Sequence, residues 1–316
     1  MTIYAQTLAS IVVLALIILL IVLLRRRGVL DAAYGSLFAD LVTKLTLPAT
    51  IFYALAHSTL EWKYVTIVAV MFGGEMAVLA IARLAAGFLH LTPEKMGSFL
   101  LASVFGSSAL LGYALVVQVF PHNSDALAEA VFVSELGVGL PLFTVGVMIA
   151  IYYGRKAQGG RQIARSVLAF FRSPIFAAIV GGALWSVLKL PVSGGMLTPL
   201  FDSVSVIAQA NTFLVTLLVG VTLRFDSIKA VAWIVAAALG IKLIVSPLVI
   251  ALPASCLALE PWQLQVLVIE SAMPSAMLSV ALTGRYGGDT ALASKLVFAT
   301  LVLSSVSVAV MMFLVG

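Results

Sequence analysis

The chain has 316 residues, of which 62% are hydrophobic, whereas soluble domains contain roughly 45–50% apolar residues. Only 31 residues are charged, the sum of 18 Lys and Arg and 13 Asp and Glu, which is too few to cover such a large core with polar surface. These proportions exclude a soluble globular domain and indicate an integral membrane protein. The single cysteine, Cys256, excludes an internal disulfide and a zinc site built from cysteines.

Ten apolar segments follow one another along the chain, each close to the roughly 20 residues that a membrane-spanning helix needs. They cover residues 8–24, 36–56, 64–88, 97–119, 127–153, 173–190, 199–223, 230–252, 263–284 and 291–315. Three arginines, Arg25 to Arg27, follow the first segment directly. A secretory signal has its positive charge before the apolar run, so we expect the first span to be retained. The sequence predicts an all-α membrane protein with ten transmembrane helices.

The distribution of lysine and arginine predicts the orientation, because cytoplasmic loops accumulate both residues. With the N-terminus outside, fourteen of the eighteen lie in inner turns. The outer turns hold only Lys63 and Lys189, and the spans hold Lys44 and Lys242. We therefore expect both termini on the non-cytoplasmic side of a bacterial inner (plasma) membrane. The same bias explains the net charge of +5 as a topology signal, so we expect no nucleic-acid partner.

The longest polar connection, residues 154–172, divides the chain near its middle. It separates residues 1–153 from residues 173–316, and each part contains five predicted spans. Because five is odd, two parts with the same fold would lie upside down relative to each other, as in the inverted repeats of secondary transporters. We therefore expect a first five-helix repeat, a basic cytoplasmic linker and a second, inverted five-helix repeat.

Five ionisable residues fall inside the predicted spans, where each costs roughly 2.5–3.5 kcal/mol on insertion scales. They are Lys44, Glu75, Glu135, Lys242 and Glu270. Such groups usually face the bundle interior or a water-filled cavity, and they often pair. Lys44 and Glu75 are expected to pair because their spans are sequence neighbours; the alternative role of such a pair is only to hold helices together. Glu270, Glu75, Lys44 and Lys242 are the candidates for coupling an ion to transport.

A polar segment around a proline interrupts the ninth span. Residues 270–276 are Glu-Ser-Ala-Met-Pro-Ser-Ala, and Pro274 lacks a backbone N–H and clashes with the preceding turn. We therefore expect a break, after which the positive N-terminal end of the second half-helix attracts anions. The fourth span has two glycines and two serines at the corresponding place, residues 106–112. The alternative for both segments is ordinary packing of small residues or a simple kink.

These breaks predict a substrate site between spans four and nine. The candidate binding residues there are Ser107, Ser108, Gly112, Pro274, Ser275 and Ala276. Span seven adds Asn211 and Thr212, which either contact a ligand or join helices at roughly 0.6 kcal/mol for each bond.

The order of these motifs resembles the auxin efflux carrier family, which includes bacterial malate and malonate permease-like proteins. The residues that carry the resemblance are Arg25 to Leu30, Leu47-Pro48-Ala49, Phe105-Gly106 to Gly112, Gly220 with Leu223, Pro247, Glu270 to Ala276, and Ser304. The resemblance covers nearly the whole chain. It implies two inverted five-helix repeats, with broken helices four and nine crossing beside the substrate. It also implies a scaffold distinct from a moving transport unit, and a small organic anion, a carboxylate or an auxin-like compound, as cargo.

The fourth span departs from the family pattern, which usually has asparagine at the position of Ser107 and proline at the position of Ala114. The first crossover must then be opened by glycine and serine, or span four is a less broken helix than span nine. The leading hypothesis is a secondary transporter of a small organic anion. The alternative is a sodium-coupled organic anion symporter of the related bile-acid type. Its candidate sodium ligands are the side-chain oxygens of Ser108, Gln209 and Glu270.

An intramembrane enzyme is not expected, because His57, His90 and His122 are scattered at predicted turns and the sequence contains no HExxH motif. We therefore assign no catalytic residues, no metal ligands and no cofactor. The expected partners are the organic anion, a proton or sodium as coupling ion, and the lipid bilayer. A homodimer is compatible with the sequence.

Overall fold

Helices account for all the regular secondary structure in the part of the chain that the structure describes. The computed structural model describes residues 3–31, 33–58, 63–154, 168, 171–222 and 231–315. In these residues the single β pairing is one isolated bridge. This outcome is expected for apolar segments in a bilayer, where an α-helix satisfies its backbone hydrogen bonds within the segment. The prediction of an all-α fold is confirmed.

The helices of the described residues are numbered here in chain order. They are α1 (Ile3–Arg26), α2 (Tyr34–Ala56), α3 (Lys63–Phe88), α4 (Pro93–Val104), α5 (Ser108–Val119), α6 (Ser124–Tyr153), α7 (Pro174–Val187), α8 (Leu197–Thr222), α9 (Ala232–Ala254), α10 (Pro261–Ser271), α11 (Met277–Tyr286) and α12 (Thr290–Val315). Six helices of this part of the chain, namely α2, α3, α6, α8, α9 and α12, are long and apolar enough to cross a membrane. Each predicted apolar segment coincides with one helix, or with two in the case of the fourth and ninth segments.

Four of these helices contain π-helical turns. They are Val42–Thr46 in α2, Ser108–Gly112 in α5, Val133–Gly139 and Leu142–Gly146 in α6, and Ile241–Val245 in α9. A π turn inserts one extra residue into the helical ladder and is frequent at functional sites. Three of these turns contain an ionisable residue, Lys44, Glu135 or Lys242.

The chain divides into two compact units. Unit 1 comprises Met1–Tyr64, Tyr113–Val131 and Ala169–Leu223, and unit 2 comprises Val65–Gly112, Phe132–Leu168 and Arg224–Gly316. Both units therefore draw on both halves of the sequence, and they differ from the predicted repeats, residues 1–153 and 173–316. Most of the predicted basic linker, residues 154–172, lies outside the described residues.

Unit 1 contains α1, α2, α7 and α8, which pack closely at small residues. A Cβ at Gly182 of α7 would lie 2.7 Å from the Cβ of Leu55 in α2. An aromatic cluster continues this contact, with the ring of Phe52 stacked on that of Phe201 at 5.9 Å and edge-on to Trp185 at 6.0 Å. Close approach of helices at glycine is typical of membrane proteins, where dispersion contacts drive association.

Unit 2 contains α3, α4 and α9 to α12 together with the π turns of α5 and α6. Its largest apolar core joins α4 to α11 and α12 through fully buried side chains that include Phe99, Leu101, Phe105, Tyr286 and Leu296. This core includes residues at the end of α4 and at the start of α11, next to the two places where the chain leaves the helical conformation.

Candidate functional site

Two helix breaks lie next to each other in unit 2. Residues 105–107 separate α4 from α5, and residues 272–276 separate α10 from α11. Gly106 and Ser275 form an antiparallel bridge between the two breaks. The N–H of Ser107 donates to the carbonyl oxygen of Pro274 at 2.7 Å, and the N–H of Ala276 donates to that of Phe105 at 2.8 Å. The expected interruption at Pro274 is therefore present, and each break supplies hydrogen-bond partners to the other.

The break in the fourth segment forms although alanine stands at position 114, where proline was expected from the family pattern. Phe105 has extended backbone angles, φ −78° and ψ 127°, and ends α4. Gly106 then passes so close to α9 that a Cβ there would lie 3.1 Å from Lys242 Nζ and 3.3 Å from Lys242 Cε. The pairing with residues 272–276 and the lack of a side chain at Gly106 therefore open this helix without a proline.

Lys242 lies beside the crossing and is fully buried in the π turn of α9. Its ammonium donates to the carbonyl oxygen of Ser271 at 3.2 Å and lies 3.5 Å from the hydroxyl of Ser246. Ser271 is the last residue of α10, and the C-terminal end of a helix carries partial negative charge. Buried Glu75 of α3 is within electrostatic reach of the same ammonium. Lys242 thus compensates two negative groups in the interior of unit 2.

The predicted pair of Lys44 and Glu75 is wrong. Lys44 belongs to unit 1, where its ammonium lies 2.8 Å from the carboxylate of Asp40, one turn earlier in α2. The side chains of both residues are more than 60% exposed, at 65% and 62%. Sequence proximity of spans two and three suggested Glu75 as the partner of Lys44, but the charged group opposite Glu75 comes from the distant helix α9.

Glu270 occupies the last turn of α10, fully buried, next to the glycine of another broken helix. A Cβ at Gly112 of α5 would lie 2.5 Å from both carboxylate oxygens of Glu270. Glu135, from a π turn of α6, is within electrostatic reach of this carboxylate. Among the described residues, neither carboxylate oxygen of Glu270 has a hydrogen-bond partner.

Ser275 is held in the crossing by bonds to two other helices. Its N–H donates to Thr300 Oγ1 of α12 at 3.1 Å, and the Thr300 hydroxyl lies 2.9 Å from the Ser275 hydroxyl. The Ser275 hydroxyl also donates to the carbonyl oxygen of Ala102 in α4. Sequence reasoning did not identify Thr300, because a single hydroxyl in an apolar helix carries no signal of its position.

The remaining candidates lie in two different places. Ser108 begins α5, and its hydroxyl is 2.7 Å from that of Ser134 in α6. Asn211 and Thr212 belong to unit 1. Asn211 is buried, and its side-chain oxygen accepts a bond at 2.8 Å from the Thr46 hydroxyl of α2. Asn211 therefore joins α8 to α2, the interhelical role that the sequence left as its alternative.

The crossing presents two helix N-termini. The first bonds after the breaks run from Leu111 N–H to the Ser107 carbonyl and from Ser279 N–H to the Ala276 carbonyl. The N–H groups that precede these bonds have no partner within their own helix and carry partial positive charge. These N–H groups and the Lys242 ammonium place positive charge next to the bridge, while the buried carboxylates of Glu75 and Glu270 belong to the same unit.

Discontinuous helices whose ends meet at a buried site are found in many secondary transporters. The model of the family described as membrane transport protein, the auxin efflux carrier family, matches residues 6–312, and the chain belongs to this family. The resemblance inferred from the sequence is confirmed. The family is one of transporters, so transport rather than catalysis is the activity to be expected of this site.

Two archaeal relatives extend this similarity over nearly the full chain. An uncharacterized transporter of Methanocaldococcus jannaschii is 25% identical over 293 residues, which cover 89% of this chain and 90% of that protein. An uncharacterized transporter of Methanothermobacter thermautotrophicus is 26% identical over 308 residues, 96% of this chain and 95% of that protein. These relatives support a transporter without indicating a substrate.

Proposed function

We propose that the protein is a secondary transporter of a small organic anion, a carboxylate or an auxin-like compound. The anion binds at the crossing of the two broken helices and is exposed in turn to the two sides of the membrane. The observation that carries this proposal is the bridge between Gly106 and Ser275 with the buried ammonium of Lys242 beside it. Such a place offers polar groups inside an otherwise apolar core, which is what a membrane-buried binding site requires.

The Lys242 ammonium and the free backbone N–H groups directly beside the bridge favour an anion over a cation or a neutral solute. The first turns of α5 and α11 direct backbone N–H groups towards the breaks, and such groups bind carboxylates without any side chain. The N–H groups of Ser107, Ser275 and Ala276 bond other parts of the crossing. The backbone N–H groups available to an anion are therefore those of the first residues after the breaks. They belong to Ala109 and Leu110 in α5 and to Met277 and Leu278 in α11, and they precede the first hydrogen bond within each helix.

The proposal includes ten spans in two inverted repeats with both termini outside. Its structural support is the correspondence of the two breaks, which fall in the fourth segment of residues 1–153 and in the fourth segment of residues 173–316. Their antiparallel pairing is the arrangement that two inverted copies of the same broken helix would produce. The excess of lysine and arginine in alternate turns supports the orientation.

Transport is tested with purified protein in proteoliposomes preloaded with unlabelled anion. A panel of radiolabelled mono- and dicarboxylates is added outside, and counterflow is measured against protein-free liposomes. We expect saturable counterflow of at least one carboxylate. Absence of flux for the whole panel, from protein that elutes as a single species in detergent, would remove the substrate class. Flux that rises linearly with concentration would identify a channel instead.

The sodium-coupled alternative makes a different prediction in the same assay. A coupling cation would be expected near the negative C-terminal end of α10, but the ammonium of Lys242 already bonds the Ser271 carbonyl there. A tethered cation removes the need for a dissolved one, so this contact supports sodium-independent transport. Replacing sodium by choline on both sides of the membrane should leave counterflow unchanged, and a strict requirement for sodium would favour the bile-acid type of symporter.

A further inference from the structure

The C-terminal end of α10 meets α9 at a small polar place in unit 2, which the ammonium of Lys242 fills. The ammonium donates to the carbonyl oxygen of Ser271 at 3.2 Å and lies 3.5 Å from the hydroxyl of Ser246. That hydroxyl donates to the same carbonyl at 3.4 Å. All three side chains are fully buried, and so is Glu75, whose carboxylate attracts the ammonium. The acceptors and the negative charge together make this place favourable for a cation, and we call it the ammonium site.

The carbonyl of Ser271 needs a donor from another helix because α10 ends at this residue. Carbonyls in the last turn of a helix have no partner within it and carry partial negative charge. The N–H groups of Ala272 and Met273, the next in the chain, donate to other carbonyls of α10. The groups that donate to the Ser271 carbonyl belong to α9. In transporters with discontinuous helices, such a C-terminal end coordinates the coupling cation.

The ammonium site lies directly beside the bridge between the two breaks. A Cβ at Gly106 would be 3.1 Å from Lys242 Nζ, 3.3 Å from Lys242 Cε and 3.6 Å from the carbonyl oxygen of Met273. The lack of a side chain at Gly106 therefore leaves the room in which the end of the lysine lies. Because the ammonium is attached to α9, its charge cannot leave for water as a dissolved ion does.

The distances in the ammonium site fit an ammonium group better than a small metal ion. The two oxygens lie 3.2 and 3.5 Å from the nitrogen, whereas hard cations such as Mg²⁺ and Ca²⁺ bind oxygens at about 2.0–2.6 Å. An ammonium group is accommodated without movement, and a smaller ion would have to draw the oxygens inwards. The ligand class of this site is therefore a monovalent cation with the size of a primary ammonium.

We propose that the ammonium site is the cation-binding site of the transporter and that Lys242 fills it permanently, an inference that rests on the proposed function. The positive charge beside the bridge is then present at every step of the cycle, so no dissolved cation has to bind before the anion. Shortening residue 242 should empty the site. Both the stability and the transport activity of such a variant should then depend on a dissolved monovalent cation.

The first test needs no transported substrate. Melting temperatures are measured in detergent for wild type, Lys242→Ala, Lys242→Met and the control Lys189→Ala, which removes an exposed lysine of unit 1. Choline, sodium and methylammonium chloride are compared at equal ionic strength. Methylammonium matches the Cε and Nζ atoms that Lys242→Ala removes, whereas the methyl group of methionine takes the place of Cε.

We expect Lys242→Ala to melt below wild type in choline. Its melting temperature should rise with the logarithm of the methylammonium concentration, as for a ligand that binds only the folded protein. Sodium should act in the same direction at higher concentrations. Wild type, Lys242→Met and Lys189→Ala should not respond to methylammonium. If Lys242→Ala yields no folded protein, E75Q/K242A removes the uncompensated carboxylate and keeps the Ser271 carbonyl, and it should show the same response with weaker binding.

The second test measures counterflow in proteoliposomes with the carboxylate that wild type exchanges fastest. The three chlorides are compared, each present on both sides of the membrane. Wild type should exchange the anion equally in all of them. Lys242→Ala should show no counterflow in choline and should regain part of it in methylammonium, while Lys242→Met should remain inactive in methylammonium.

Several outcomes would overturn the proposal. If neither sodium nor methylammonium stabilises Lys242→Ala beyond choline, the place does not bind a free cation, and wild-type counterflow would leave the proposed function intact. Stabilisation without restored counterflow would show that the ammonium only holds α9 and α10 together. If no carboxylate is exchanged by wild type, the proposed function fails, and the melting temperatures still decide whether the cation site exists.

Discussion

The two breaks of unit 2 have different origins although they pair with each other. Residues 272–276 contain a proline, which cannot continue the hydrogen-bond ladder, so the local sequence alone interrupts the ninth segment. Residues 105–107 contain no proline, and their break depends on the pairing across the bridge and on the approach of Lys242 to Gly106. One break is therefore encoded locally, and the other is imposed by tertiary contacts.

The largest expected effect comes from removing the charge beside the imposed break. Lys242→Met leaves buried Glu75 without its electrostatic partner and the Ser271 carbonyl without a donor. Breaking a contacting buried ion pair from one side costs about 3–5 kcal/mol, and we expect at most this loss of unfolding free energy, because neither oxygen of Glu75 has a hydrogen-bond partner among the described residues. Denaturation in detergent should show this loss, and transport should be abolished.

A second change should restore part of that stability. In the double variant with Glu75→Gln, the carboxylate that Lys242→Met leaves uncompensated is removed, so the unfolding free energy should recover towards that of wild type. The interaction energy from the four proteins measures the pairing. If the effects of the two single changes simply add, Lys242 and Glu75 act independently, and the account of the imposed break loses its electrostatic part.

The next largest effect concerns the locally encoded break. Pro274→Leu restores a backbone N–H and allows α10 to continue, which removes the bonds from Ser107 to residue 274 and from Ala276 to Phe105. Two hydrogen bonds are worth about 1–3 kcal/mol together. Insertion should be preserved and counterflow lost. Normal counterflow by this variant would show that tertiary contacts suffice for both breaks.

A smaller effect is expected from Gly106→Ala. The new Cβ would lie 3.1 Å from Lys242 Nζ, the flexible end of a side chain that can move by a few tenths of an ångström. We expect reduced counterflow and a loss of unfolding free energy of less than about 1–3 kcal/mol, the usual cost of overpacking.

Gly73→Ala is the matched control for this change, because nothing lies within 4 Å of its Cβ position in α3. Alanine in a helix interior is about 1 kcal/mol more favourable than glycine, so the control should be neutral or stabilised. Equal counterflow and equal unfolding free energies for the two variants would mean that the proximity of Gly106 to Lys242 does not affect transport or stability.

The smallest effect is expected at Lys44. Its partner Asp40 is exposed on the same helix, and exposed ion pairs contribute about 0.2–1 kcal/mol. Lys44→Ala should therefore leave counterflow unchanged and alter the unfolding free energy little. Comparison with Lys242→Met tests whether two lysines of predicted spans differ as their environments suggest.

Lys44 and Lys242 also illustrate why part of the site could not be predicted. Both lysines occur in apolar segments, so hydropathy predicted that both are charges inside the membrane and did not distinguish them. Whether each lysine is exposed or buried depends on the face of the helix from which it projects. The π turns in α2 and α9 change which residues share a face. The partner of a buried charge therefore could not be obtained from segment order, and the pairing of Lys44 with Glu75 was wrong.

The sequence predicted which small residues lie at the crossing, but it did not predict which partners they bond. Ser107, Pro274 and Ser275 were identified from a polar segment in an apolar run, and they do lie in the two breaks. Their bonds to Thr300, Ala102 and each other required knowledge of which helices meet. Gly112 was predicted near a ligand, which stays a prediction, and its contact with the carboxylate of Glu270 could not be obtained from the sequence.

Composition and apolar segment length were sufficient to predict a helical membrane protein, because a bilayer admits few ways to satisfy a backbone. Proline chemistry was sufficient to predict one of the two breaks. The folded chain decided the rest: the second break, the partner of Lys242, and the contact of Glu270 with Gly112. Each of these depends on contacts between residues far apart in sequence, and local preference carries no information about such distances.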